Sequence, residues 1–303
     1  MGMLQTVTVR SLFWVIRCLP VRLAGALGAG LGRAVFYLDA KHREIAQRNL
    51  VRVHPDRPRR WRRRMARESF AELGRSIFEL PHVFLRSERF LRSRVQIEGE
   101  DVLRAAVREG KGVFITACHH GNWELGALMF SQLGLDSNFL YRSLRQAPLN
   151  AYLKQCRERF GAVMHARNEG MRWMPRVLKR GGCVSFMIDQ HLSDGIQVPF
   201  LGHLANTTPL PATVIYRYST PVFGVTLQRL GKGFHFRLKL WPIPVPDASP
   251  AGDKDADAYH LMWRINRSFA PLIVEDPAWL WVHRRWWVLE EERGAREAVY
   301  GTP

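Results

Sequence analysis

The stretch GVFITACHHGNWE, residues 112–124, joins a nearly unbroken apolar run to a polar loop and then to a helical pattern. Residues 112–117 are predicted to form a strand buried on both faces, because their apolar and β-branched side chains do not alternate with polar ones. Residues 122–133 follow with the apolar spacing of a helix. A buried strand that leads directly into a helix is the repeating unit of α/β domains.

The same alternation continues outward from this unit. We therefore predict an α/β fold with a mostly parallel central sheet flanked by helices. Further strands are expected at residues 95–97, 138–141, 183–188, 221–228 and 235–241, and further helices at residues 100–109, 148–160, 171–180 and 258–273.

The first part of the chain has a different, helical pattern, so we predict two domains: residues 1–90 and residues 91–303. Residues 12–38 are largely apolar but contain three arginines and Pro20. The longest charge-free piece, residues 23–32, is well short of the roughly 20 residues that span a bilayer. Residues 11–38 are therefore expected to form two amphipathic helices that lie in a bilayer interface or pack on the core.

The charge of the chain favours an anionic partner. Its 45 Lys and Arg against 27 Asp and Glu give a net charge of +18, with arginines clustered within residues 59–64. Anionic lipid head groups or an acidic carrier protein fit this charge. Nucleic acid is disfavoured, because no helix-turn-helix, zinc or aromatic RNA-binding signature accompanies it. The four cysteines lack metal-ligand or disulfide spacing, which indicates a reducing setting.

The candidate chemistry lies in the loop after residues 112–117. Ligands of open α/β sheets bind at the carboxyl ends of strands, where this loop is placed. His119 and Glu124 can converge there, with the carboxylate fixing the imidazole tautomer while the other ring nitrogen accepts a hydroxyl proton. His120 competes with His119, but adjacent residues at a strand end point in opposite directions, so one of the two is expected to face the site.

Two other chemistries use the same loop. Cys118 beside His119 suggests a thiol nucleophile, although sequence neighbours rarely form the required hydrogen bond, and packing of Cys118 is the simpler interpretation. A zinc site built from His119, His120 and Glu124 lacks the usual helical spacing and an obvious further ligand. We therefore predict no metal.

The loop and several later blocks together resemble the bacterial late lipid A acyltransferase family, the lauroyl and myristoyl transferases. Residues 119–124 match its H-x4-[DE] motif in the form H-x-G-N-W-E. The remaining matches occur in the family's order: residues 47–50 with Pro55, residues 141–142, residues 189–190, residues 198–202, and the W-x-H-R-R signature at residues 279–285.

The resemblance implies a glycerol-3-phosphate acyltransferase-like fold and direct acyl transfer without a cofactor, from acyl carrier protein or acyl-CoA to a hydroxyl or amine of a lipid A precursor or related lipid. It also implies a peripheral or monotopic enzyme on the cytoplasmic face of the bacterial inner membrane. A protein that binds lipid without turnover is the alternative function.

The resemblance also implies roles for individual residues. His119 takes the role of general base and Glu124 orients it. The residues expected to bind substrate are Arg142, Asn122, Asp189, Gln190 and Gly202.

The chain departs from the family pattern at several positions around the expected substrate. Ser143 replaces a proline after the arginine, Leu201 replaces a phenylalanine, and Pro209 follows the threonine pair where a glycine is usual. These changes concern the identity of the substrate more than the reaction. The aromatic and basic residues 279–287 suit either a membrane interface or packing on the sheet.

Overall fold

The computed structural model describes residues 2–248 and 252–286. Nine strands are found in these ranges, and they form a seven-stranded sheet and a separate hairpin. The strands of the large sheet are β1 Val95–Glu98, β2 Val113–Ala117, β3 Ser137–Tyr141, β4 Val163–Ala166, β5 Cys183–Met187, β8 Val222–Arg229 and β9 Phe236–Ile243; the hairpin is β6 Ile196–Phe200 with β7 His203–Thr207.

The order across the large sheet is β1-β9-β8-β2-β5-β3-β4. Every pair in it is parallel except β8 with β9. The predicted α/β fold with a mostly parallel sheet is confirmed. Strands β2 and β5 lie side by side at the centre, and Ala117 pairs with Met187 at their carboxyl ends. The loops that follow these two strands therefore leave the sheet next to each other.

Helices cover both faces of this sheet. The helices are α1 Gly2–Cys18, α2 Val21–Leu38, α3 Ala40–Val53, α4 Arg59–Leu85, α5 Glu88–Arg92, α6 Glu100–Arg108, α7 Trp123–Ser131, α8 Ala147–Glu158, α9 Trp173–Lys179, α10 Leu210–Tyr218 and α11 Lys254–Ile273.

Strand β2 shows why both faces must be covered, because its side chains enter two different cores. Phe114 packs in one core with residues of α9 and α11, including Met174 and Phe269. Its neighbour Ile115 points to the opposite face and packs with Phe130 of α7. This alternation is the pleat of a strand buried on both sides.

The N-terminal helices α2 and α4 pack at unusually short range through glycines. A Cβ atom on Gly28 would lie 2.4 Å from the carbonyl oxygen of Gly74, and one on Gly32 would lie 2.1 Å from that of Phe70. Only hydrogen at these positions allows the two backbones to approach so closely. Ser76 of α4 donates a hydrogen bond to the carbonyl oxygen of Gly121, 3.4 Å away, and so ties the helical region to the loop after β2.

The opposite sides of α1 and α2 carry exposed apolar side chains. Those of α2 include Leu23, Leu27 and Leu31, which recur every four residues and form one stripe. Within the described residues, α2 alone has the length and apolar composition needed to cross a membrane, and a third of it is buried in the protein. The other exposed apolar residues of α1 and α2 are Met3, Leu4, Val7, Leu12, Trp14, Val15, Tyr37 and Leu38.

Three strands and two helices, the five-residue α5 and α10, were not predicted from the sequence. Strand β4 has only four residues and lies at the edge of the sheet, and the hairpin of β6 and β7 has Pro199 paired with Leu204. Helix α10 begins among prolines. Short edge strands and proline-containing segments give weak periodic signals. The predicted division of the chain at residue 90 stays a prediction.

Candidate active site

His119 lies two residues beyond the end of β2, and Asp189 lies two residues beyond the end of β5. Because β2 and β5 are paired in register, the two residues meet. The imidazole Nδ1 of His119 lies 2.8 Å from Oδ1 of Asp189, and the backbone N–H of His119 donates to Oδ2 at 2.8 Å. Asp189 therefore fixes both the position and the ring orientation of His119 and leaves Nε2 without a bond to this carboxylate.

The Asp189 carboxylate is fully buried and is surrounded by groups that favour its charge. Burial alone would raise its pKa, but the charge and hydrogen bonds of His119 and the nearby His283 hold that pKa well below its usual range. The indole N–H of Trp279 donates a third hydrogen bond to the carboxylate, at 2.9 Å. Asp189 is therefore ionised at neutral pH.

The ionised Asp189 in turn makes His119 more basic. Burial lowers the pKa of His119, but the charge and hydrogen bond of Asp189 outweigh it, and Glu124 adds a smaller effect in the same direction, so the pKa is raised above its ordinary value. A carboxylate on Nδ1 with Nε2 free is the arrangement that lets a histidine accept a proton from a hydroxyl.

Glu124 does not form the predicted hydrogen bond with His119. Its carboxylate is bound by Arg157, with Nε at 2.8 Å from Oε2 and Nη2 at 2.5 Å from Oε1. The reason is that Arg157 of α8 lies beside Glu124 in the first turn of α7. The guanidinium therefore binds both oxygens of the Glu124 carboxylate. The orienting carboxylate in this structure is Asp189, and Glu124 acts on His119 through charge alone.

His120 is buried, and both of its ring nitrogens have hydrogen-bond partners within the protein. Its Nδ1 lies 2.7 Å from the hydroxyl of Thr226, and its Nε2 lies 3.0 Å from a carboxylate oxygen of Asp276. Both adjacent histidines line the same cavity, but the two ring nitrogens of His120 are occupied by Thr226 and Asp276. Cys118 is also buried, and burial raises the pKa of its thiol well above the ordinary value, which does not suit a nucleophile.

Within residues 2–248 and 252–286, no group of three or more His, Cys, Asp and Glu side chains could hold a metal ion.

A cavity of about 520 Å³ opens beside His119. Its polar lining includes Arg142 and Gln190, two of the predicted substrate-binding residues. Gln190 places its amide nitrogen 3.4 Å from Nε2 of His119, and the exposed Arg142 follows directly after β3. The apolar wall is formed by Ile115, Ala127, Phe130, Phe139, Leu140, Met164, Met171, Phe186, Met187, Val225, Leu227 and Leu238.

The other three predicted substrate-binding residues, Asn122, Asp189 and Gly202, do not line this cavity, and Asp189 is fully buried behind His119. Asn122 is buried and caps α7 by accepting from the N–H of Leu125 at 3.2 Å, while its amide donates to Glu79 at 3.1 Å. Gly202 lies with Leu201 in the turn between β6 and β7, where both residues have positive φ values of 83° and 48°. Asn122 therefore positions the helix, and Gly202 permits a tight hairpin turn.

The C-terminal signature takes part in the site through Trp279, whose indole N–H donates to Asp189. The sequence did not single out Trp279 as an active-site residue.

The C-terminal segment is also anchored to the N-terminal helices. The carbonyl oxygen of Trp279 accepts a hydrogen bond from Ser69 at 3.2 Å. Asn49 donates to the carbonyl oxygens of Trp281 and His283 at 2.8 and 3.0 Å. Packing on the core is the correct interpretation for Trp279 and Trp281, which are fully buried, whereas Trp287 lies outside the described residues.

The sequence contained one signal for the pairing of His119 with Asp189. His119 stands two positions after the apolar run 112–117, and Asp189 directly follows the apolar run 183–188. That signal becomes decisive only when the two strands are known to be neighbours, which their separation of 70 residues does not reveal.

Residues 3–287 match the family model described as bacterial lipid A biosynthesis acyltransferase. The chain belongs to this family. It is 24% identical over 280 residues to the lipid A biosynthesis palmitoleoyltransferase of Escherichia coli K12, and the alignment covers 91% of this chain and 88% of that protein. It is also 24% identical over 284 residues to the lauroyltransferase of the same organism, covering 91% and 89%. Identity to the myristoyltransferase of that organism is 22% over 171 residues, covering 56% and 53%.

Membership in the lipid A biosynthesis acyltransferase family confirms the predicted resemblance and makes the chain an acyltransferase. The family match begins in α1 and so includes the N-terminal helices as well as the α/β domain. In this member of the family, the histidine of the H-x4-E motif is hydrogen-bonded to the aspartate of the D-Q block, and the glutamate of the motif is bound to an arginine.

Proposed function

We propose that this acyltransferase moves a fatty acyl chain from the thioester of acyl carrier protein or coenzyme A to a hydroxyl or amine of a lipid A precursor or a related glycolipid. One observation carries the proposal. The Nδ1 of His119 is held by the buried, ionised Asp189, while the same imidazole lines a cavity with an apolar wall. This arrangement supports a general-base role for His119 beside a space that suits a fatty chain.

In the proposed reaction, Nε2 of His119 accepts the proton of the acceptor hydroxyl. The hydroxyl oxygen then forms a bond to the thioester carbonyl carbon and gives a tetrahedral oxyanion. The carbon–sulfur bond breaks as this intermediate collapses, and the imidazolium returns its proton to the thiolate. Asp189 stays ionised throughout and stabilises the imidazolium. No acyl-enzyme intermediate forms.

The surface of the N-terminal helices supports a membrane location, which we propose to be the cytoplasmic face of the inner membrane. Leu23, Leu27 and Leu31 are each exposed over about half of their surface, at 46%, 49% and 52%. On the neighbouring α1, the guanidinium of Arg17 lies 5.3 Å from the ring centre of the exposed Trp14. Apolar side chains beside Trp and Arg suit the boundary between acyl chains and anionic head groups.

The test of this function is thiol release from a radiolabelled acyl thioester, measured with the purified enzyme in mixed vesicles that contain the lipid acceptor. His119→Ala removes the base, so we expect the turnover number to fall by about 10²- to 10⁴-fold with the fold retained. His260→Ala is the matched control, because His260 is exposed on α11 and does not line the cavity. Turnover that survives in the His119 variant, or that falls equally in the control, would contradict the proposed role.

A further inference from the structure

Two arginines reach the cavity from neighbouring strand ends. Arg142 follows the last residue of β3, and Arg167 follows the last residue of β4. The two strands are parallel, and Tyr141 pairs with Ala166 in their register. Since paired strands lie about 4.8 Å apart, Arg142 and Arg167 leave the sheet side by side. Both side chains are exposed, and both line the cavity that contains His119.

Their charges are not neutralised by the protein. Across the described part of the chain, no carboxylate lies within 4.0 Å of either guanidinium. Glu124, the acid that lines the cavity, is bound by Arg157. Glu169, close to Arg167 in the chain, accepts from the backbone N–H of Ala166 at 3.3 Å. The cavity therefore presents two positive charges that have no acidic partner.

The loops that carry the two arginines are held in place. Ser143, next to Arg142, donates a hydrogen bond to Asn168, next to Arg167, at 3.5 Å. Asn150 accepts from the N–H of Leu144 at 3.0 Å and donates to the hydroxyl of Tyr141 at 3.2 Å. The two side chains therefore start from neighbouring positions that these hydrogen bonds hold together, and both lie at the same cavity.

We infer that Arg142 and Arg167 together bind one phosphate group of a substrate, which makes Arg167 a second phosphate ligand beside Arg142. This inference rests on the acyl-transfer function proposed above. Each guanidinium offers a planar pair of donors that fits two phosphate oxygens, and two positive charges match a phosphate dianion. A phosphate monoester of the glycolipid acceptor carries this double charge, and the phosphate of the donor's phosphopantetheine arm, which is esterified on both sides and carries one charge, is the other source.

The experiment compares Arg167→Gln and Arg142→Gln with two matched controls. Arg145→Gln and Arg172→Gln each remove an exposed arginine from the same two loop regions, and neither residue lines the cavity. We expect each cavity variant to raise the KM of the phosphate-bearing substrate about tenfold to a hundredfold, because a charge-assisted hydrogen bond is lost. Arg167→Lys keeps the charge but not the forked geometry, and we expect an intermediate KM. The two controls should leave the KM within about twofold of the wild-type value.

Two pairs of substrates locate the phosphate. A lipid acceptor is compared with its dephosphorylated form, and acyl-CoA is compared with acyl-pantetheine, which has no phosphate. In the pair that carries the bound phosphate, the wild-type enzyme should lose affinity when the phosphate is removed, and Arg167→Gln should show no further loss. The other pair should behave alike in both proteins.

The inference is overturned if Arg167→Gln keeps wild-type KM values for both substrates, as the controls should. It is equally overturned if, in both substrate pairs, removal of phosphate has the same effect on the wild type and on Arg167→Gln. A wild-type enzyme that releases no thiol with any acceptor would refute the proposed function instead. In that event, broadening of the ³¹P resonance of inorganic phosphate still tests the pair, since it should be lost in the two cavity variants and kept in the two controls.

Discussion

At the scale of single residues, the reactivity of His119 depends on a balance between two opposing effects. Burial disfavours the imidazolium, whereas the ionised Asp189 favours it. The effect of Asp189 is the larger one, so the pKa of His119 is raised. The cost of keeping Asp189 ionised in the interior is offset by its hydrogen bonds from His119 and Trp279. The basicity of His119 is thus a property of three side chains that lie far apart in the sequence.

This balance predicts the pH dependence of the enzyme. Because the base must be neutral, kcat/KM should fall as pH drops through the raised pKa of His119, so the acid limb should lie above the pH of an ordinary histidine. In Asp189→Asn, burial becomes the main influence, and the limb should move to lower pH while the maximal rate falls. Glu124→Gln should move the limb less, because the charge of Glu124 has the smaller effect.

The measurement is a pH profile of kcat/KM for the wild type and the two variants at constant ionic strength. A larger downward shift in Glu124→Gln than in Asp189→Asn would show that Glu124, as the sequence motif suggested, is the main electrostatic partner of the base.

At the scale of helices and strands, the positions of the strands along the chain were predictable from the sequence, whereas the order of the strands in the sheet was not. The strands at residues 112–117 and 183–188 were correctly predicted because their apolar runs are long and uninterrupted. Their adjacency was not predictable, because strand order depends on how the connecting helices cross the sheet. For that reason His119 was identified from its own loop, while Asp189 was named as a site residue without its partner.

The contact of α2 with α4 gives a prediction at this scale. A Cβ atom on Gly74 would lie 2.2 Å from the carbonyl oxygen of Gly28, so Gly74→Ala should force the helices apart and lower the free energy of unfolding by about 1–3 kcal/mol. Gly30→Ala is the control, since a Cβ atom on this glycine of α2 meets no atom within 4 Å. Alanine there should raise stability by about 0.5–1 kcal/mol.

Both variants can be compared by denaturant unfolding in the same detergent. Equal effects of the two substitutions would mean that helix propensity, and not the close approach of α2 to α4, determines the change.

At the scale of the whole molecule, two kinds of surface occur together. The chain has a net charge of +18, and its N-terminal helices expose a leucine stripe. An anionic bilayer can satisfy both at once, through burial of the leucines and attraction of the arginines.

The leucine stripe can be tested with one residue and one control. Leu27→Gln should weaken binding to anionic vesicles about tenfold or more, because roughly 1.5–3 kcal/mol of apolar burial is lost. Leu204→Gln is matched in exposure, as Leu27 and Leu204 are both 49% exposed, but it lies in the hairpin of β6 and β7. Vesicle sedimentation at low and high salt measures both proteins. Equal loss of binding in the two variants would contradict a membrane surface on α2.

The indole of Trp279 reaches a carboxylate that precedes it by 90 residues, and the amide of Asn49 holds a carbonyl that follows it by 232 residues. A nascent polypeptide that has emerged from the ribosome only as far as the loop after β5 already contains His119 and Asp189, but it lacks the indole donor of Trp279. The hydrogen bonds that complete the surroundings of His119 and Asp189 therefore form only after the distal segment has folded back over the sheet. An incomplete translation product carries the histidine and the aspartate without the arrangement that would let it consume thioesters.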